Sequence, residues 1–163
     1  MELVELLLRW IHFVAGITWI GLLYFFNLVN VNFMKSLDAA TKGKVVPQLM
    51  PNALWWFRYS ALITVLAGIL LMGMNMPGES SWRLSISLGG LLGIIMFLNV
   101  WLIIWPNQKR IIQMTAEAAA KQQPTPPEMA AMARRAYLAS RTNFWLSFPM
   151  LFFMAAASHY QLF

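Results

Sequence analysis

The chain contains no cysteine, and charge is scarce. Only 11% of its 163 residues are Asp, Glu, Lys or Arg, against about 25% in an ordinary soluble domain. Without cysteine there is no disulfide, no thiolate zinc site, no iron–sulfur cluster and no thioether-linked haem. Acidic residues number six and histidines two. Hydrophobic residues make up 60%. These figures exclude a soluble enzyme of usual composition, a disordered chain and a basic tail protein that binds nucleic acid. The length argues for a single domain, residues 1–163.

What the chain has is long uncharged runs. Four stretches lack Asp, Glu, Lys and Arg: Trp10–Met34, Tyr59–Gly78, Leu84–Gln108 and Thr142–Phe163. About 20 apolar residues cross a bilayer as helix, and each stretch is long enough. The expected fold is an all-α integral membrane protein, a bundle of four transmembrane helices over about 3–34, 53–76, 84–121 and 128–161. Glu2 and Glu5 replace the basic cluster of a signal peptide, so helix 1 is read as part of the mature protein.

The net charge is +6, but in a membrane chain its placement matters more than its sum. Four spans put both termini and the loop between helices 2 and 3 on one face. That face holds Arg9 and Arg83. The other holds Lys35, Lys42, Lys44, Arg58, Lys109, Arg110, Lys121, Arg134, Arg135 and Arg141. Cytoplasmic loops carry the excess of Lys and Arg, so both termini are expected to be periplasmic, in a bacterial inner membrane. The basic face is read as a topology signal beside anionic lipid, with the bilayer and not nucleic acid as its partner. Trp10 and Trp82 mark the outer interface. Trp55, Trp56, Trp105 and Trp145 mark the inner one.

Helix 3 is expected to continue past Pro106, kinked there, to Lys121. Pro124–Pro127 breaks the chain. Thr125 reads as an N-cap, with Pro127 in the first turn and Glu128 three residues on. Helices 3 and 4 then form a hairpin protruding into the cytoplasm. The loop from Ser36 to Pro51 is read as holding at most a short interfacial helix.

His12 and His159 lie near the outer ends of helices 1 and 4. An ionisable residue inside a span is a functional hypothesis by default. Two imidazoles from two helices at one depth suit axial ligation of haem iron. Gly16 beside His12, and Ala155 and Ala156 beside His159, would leave a flat slot for the ring. Phe13, Trp19, Phe152, Phe153 and Tyr160 could wall it. A copper site is the competing metal reading, because His and Met are its ligands. The bland reading makes each histidine an interfacial or packing residue. Asn27, Asn30 and Asn99 read as interhelical hydrogen-bonding residues or as part of a proton path. Arg58 reads as snorkelling to the interface or as meeting an anionic ligand or acidic lipid.

Several runs resemble the urate oxidase N-terminal family, the membrane domain of bacterial urate hydroxylases. They are His12-Phe-Val-Ala-Gly16-Ile17-Thr18-Trp19-Ile20-Gly21 with Tyr24-Phe25-Phe26-Asn27, then Ala53-Leu54-Trp55-Trp56-Phe57-Arg58. Asn99-Val100-Trp101 through Ile104-Trp105-Pro106-Asn107-Gln108 follows, and then Leu146-Ser147-Phe148-Pro149-Met150-Leu151-Phe152 with Ser158-His159-Tyr160. In that family the membrane domain is joined to a cytochrome c and the enzyme oxidises urate. The resemblance implies a membrane redox module that passes electrons outward, with His12 and His159 as motif histidines and Arg58 as a further carried-over residue. With the paired histidines, the expected function is a haem b–binding membrane redox or electron-transfer protein, a subunit of a larger oxidoreductase. These residues hold no Cys-x-x-Cys-His, so a periplasmic cytochrome or another membrane subunit would take the electrons. The spacing from His12 to Trp19-x-Gly21 also resembles two other small membrane families: the four-helix haem-containing protoporphyrinogen oxidase and the copper-resistance D type of copper protein. A copper-handling membrane protein and a non-redox accessory subunit are the alternative functions.

Overall fold

The computed structural model describes residues 2–75 and 80–157, and these form four long helices with no strand among them. Helix α1 covers Glu2–Ser36 and α2 covers Ala39–Asn75. Helix α3 starts at Ser80 and ends at Lys121, and α4 covers Glu128–Ala157. Helices α1, α2 and α3 are long and apolar enough to cross a membrane. The described part of α4 ends at Ala157.

Each helix turns one narrow stripe inward. On α1 it is Ala15, Trp19 and Leu23; on α2 it is Met50, Leu54, Phe57, Ala61 and Thr64. On α3 Met96, Val100 and Ile104 are buried, and on α4 Ala136, Ala139, Asn143, Ser147 and Met150. Steps of three and four residues keep such positions on one helical face. The outer surface is covered with large apolar side chains, among them Phe13, Ile17, Leu66, Leu102, Trp145 and Phe152. Helices satisfy their own backbone groups, so this exterior is compatible with a lipid bilayer. Helix α1 packs along α2, and α3 packs along α4.

Helix α2 corrects the sequence expectation. It begins at Ala39 rather than near residue 53, and it carries Pro47 and Pro51 inside it. The chain turns at Leu37, whose backbone is extended (φ −85°, ψ 142°). Asp38 then caps α2. Its Oδ1 accepts the Thr41 N–H at 3.0 Å and its Oδ2 accepts the Thr41 hydroxyl at 2.6 Å. Each proline removes a backbone donor. Packing against the far end of α3 accounts for the helix persisting: a Cβ on Gly43 would stand 2.9 Å from Ala119 Cβ. The segment read as a loop is thus the third helix of a small bundle with the α3–α4 hairpin.

Two π segments interrupt the α-helices, Phe25–Asn30 in α1 and Asn99–Ile104 in α3. In the second, Trp105 N–H bonds to Val100 O, five residues back. That wide turn lies immediately before Pro106 and takes up the disturbance that the ring imposes on the preceding turn. Helix α3 ends in a left-handed Gln122 (φ 51°). Gln123 N–H bonds to Ala118 O and Gln122 N–H to Ala119 O, a Schellman closure. At the start of α4, Met129 and Ala130 N–H bond to the carbonyls of Pro126 and Pro127. Those carbonyls close the first turn, in place of the Thr125 cap expected there.

Candidate cofactor site

His12 lies in register with the inward stripe of α1, one turn before Ala15 and Gly16 and two before Trp19. Its Nδ1 is 2.8 Å from the carbonyl oxygen of Thr64 on α2. A carbonyl only accepts, so Nδ1 carries the proton. In the neutral ring Nε2 then keeps its lone pair. Gly68, one turn along α2, lies against the ring. A Cβ there would stand 3.0 Å from His12 Cε1 and 3.3 Å from Nδ1. The Thr64 hydroxyl donates to Ser60 O at 2.7 Å.

The other predicted site residues fall out as follows. A Cβ on Gly16 would meet the Thr64 methyl at 3.7 Å, an ordinary van der Waals contact. Trp19 is buried, and its Nε1 has no hydrogen-bond partner. Ala156 is buried and Ala155 exposed. Phe13 and Phe152 are turned outward. Phe153 and Met154 pack against Gly89 of α3. His159 and Tyr160 lie outside the described residues. Among the described residues there is no group of three or more His, Asp or Glu side chains that could hold a metal ion.

Sequence reasoning missed Gly68 and the carbonyl of Thr64. The signal was present: in an antiparallel hairpin the residue opposite His12 falls in the second half of α2, and Gly68 follows Thr64 by one turn. An open groove of about 260 Å³ also runs between α1 and α2, lined by Trp10, Val14, Thr18, Trp55, Tyr59 and Ile63. His12 does not line it.

Deeper in the bundle, toward the basic loops, a polar seam joins three helices. The Tyr24 hydroxyl is 3.1 Å from Ser147 Oγ. Asn27 Nδ2 donates to Ser140 Oγ at 2.9 Å. Asn99 Nδ2 donates to Asn143 Oδ1 at 2.8 Å, and Asn143 Nδ2 to Met96 O at 2.9 Å. Asn27 and Asn99 sit in the two π segments. The interhelical reading thus describes Asn27 and Asn99, while Asn30 Oδ1 is buried with no hydrogen-bond partner among the described residues.

The family model described as urate oxidase N-terminal matches residues 80–163. The chain belongs to this family. No curated protein and no solved structure matches the chain. The stretch matched to the urate oxidase N-terminal family takes in all of α3 and α4, hence Ala155, Ala156, the Asn99–Asn143 pair and position 159. His12, Gly16, Trp19 and Arg58 precede it. Helical geometry alone places them.

Proposed function

We propose that this urate oxidase N-terminal family member is a haem b–binding membrane redox subunit, with His12 and His159 as the axial ligands. The observation that carries the reading is the bond between His12 Nδ1 and the Thr64 carbonyl. Ligating histidines usually donate their other ring N–H to such an acceptor, which fixes the ring and leaves the second nitrogen for the metal. Gly68 admits the ring against α2. Trp19 Nε1 is a buried donor that a bound group with acceptor oxygens would satisfy. The donor set thus suits haem at the His12 side. His159 enters through the sequence motif, with Ala156 as the small residue one turn back. When bound, the haem would supply one-electron transfer. The protein's part is to hold and orient it. Residence in a bacterial inner membrane, with both termini periplasmic, would put this end of the bundle beside a periplasmic cytochrome or a larger membrane oxidoreductase.

The same bond favours a second reading, in which His12 locks α1 to α2 in a non-redox accessory subunit. An absorption spectrum of the purified protein, oxidised and dithionite-reduced, separates the two. The haem reading expects a sharp reduced b-type α-band that is lost in His12→Ala and in His159→Ala. A colourless protein from haem-replete cells, with His12→Ala lowering thermal stability, would establish the lock instead.

A further inference from the structure

Arg58 lies on α2, six residues before Thr64, and is only 9% exposed. No carboxylate among the described residues pairs with it. Its Nε donates to Leu54 O at 3.2 Å. Its guanidinium carbon stands 3.3 Å from the centroid of the Trp105 ring on α3, with Trp101 at 5.6 Å and Tyr59 at 5.5 Å. The stack fixes the plane of the guanidinium. It leaves the four Nη hydrogens with no acceptor among the described residues, although these nitrogens are not sealed inside the protein.

A covered charge is costly unless it is paired, and a ring face compensates only part of that cost. A planar guanidinium with a free edge matches two oxygens of a phosphate group, in a geometry that lysine cannot offer. The side chain reaches back toward Leu54, in the direction of the basic loops, and Lys109 follows Trp105 by one turn. We propose that Arg58, held flat on Trp105, is a binding site for a phosphate group carried by a membrane lipid or by a soluble anion.

The test uses the full chain in micelles of a phosphate-free maltoside detergent, with phosphatidylglycerol added in one arm and inorganic phosphate in the other. Bound lipid is read by native mass spectrometry, and protection by the thermal midpoint. Wild type should retain phosphatidylglycerol, or be protected saturably by phosphate alone. The first result identifies a lipid source and the second a soluble one. Arg58→Lys keeps the charge but not the fork, and should weaken the effect about tenfold to a hundredfold, the value of a charge-assisted hydrogen bond. Arg58→Ala should abolish it. Lys121→Ala, which removes a charge at the far end of α3, should leave it. Should Arg58→Ala fail to fold, Arg58→Lys carries the test. The proposal is overturned if wild type responds to neither anion, or if Arg58→Lys binds as wild type does.

Discussion

Replacing Gly43 by alanine tests whether the proline-bearing start of α2 packs on α3. The new Cβ would stand 2.9 Å from Ala119 Cβ and 3.9 Å from its Cα. Carbon pairs prefer about 3.5–4.0 Å, so the helices must part by roughly 0.6–1 Å. Neither methyl has a rotamer to turn away. Overpacking of this kind costs about 1–3 kcal/mol. Against it stands the better helix propensity of alanine, about 1 kcal/mol. The clash therefore wins, and Gly43→Ala should destabilise by about 0–2 kcal/mol. Gly43→Ala, Ala119→Gly and the double variant would be unfolded side by side in one detergent. The double variant restores one methyl across the contact. Its stability should exceed the sum of the single effects by more than about 0.5 kcal/mol, the threshold for coupled neighbours. If Gly43→Ala instead raises stability by the full propensity gain, the segment does not pack on α3 and its placement here is wrong.

Further predictions concern the Asp38 cap and the polar seam. The Thr41 hydroxyl, and then its backbone N–H, hold the Asp38 carboxyl below its ordinary range. A carboxyl with a depressed folded pKa stabilises above its unfolded value, near pH 4, and loses that stabilisation as the pH falls through the folded value. Amide protection over the first turns of α2, taken relative to intrinsic exchange at each pH, should therefore fall on acidification below about pH 4, and Asp38→Ala should remove that dependence. Asn143 is fully buried between Asn99 and Met96 O. Asn143→Ala should lower stability by about 1–3 kcal/mol through the groups left unpaired. Asn99→Leu/Asn143→Leu, which removes both partners, should recover part of the loss in the same denaturation assay. Equal losses in both proteins would argue against an intact hydrogen bond.

Much of this architecture could be read from charge. The uncharged runs located all four helices. The Pro124–Pro127 break set the start of α4 at Glu128, and Pro106 did not stop α3. The start of α2 was hidden because Pro47, Pro51, Lys42 and Lys44 have the composition of a loop. The contact between Gly43 and Ala119, far apart in sequence, keeps that stretch helical. Asp38 was the local clue, an aspartate with a threonine three residues on. The site was half legible. His12 stood out because an imidazole in a span is rare. Its partners did not, because a backbone carbonyl and a glycine leave no chemical trace in a sequence.

The two π segments have a consequence for how this bundle can vary. Each inserts one residue into a helix and rotates everything beyond it by about 100° relative to an uninterrupted α-helix. Deleting a single residue within 25–30 would restore α geometry there and turn the half carrying His12 against the half carrying Lys35. The hinge of change would be the wide turn itself, with both flanking helices intact. In α1 and α3 the faces on the two sides of the π segment are thus phased separately. Lineages could lengthen or shorten these helices by one residue and so re-aim one end of the bundle while the other keeps its grip.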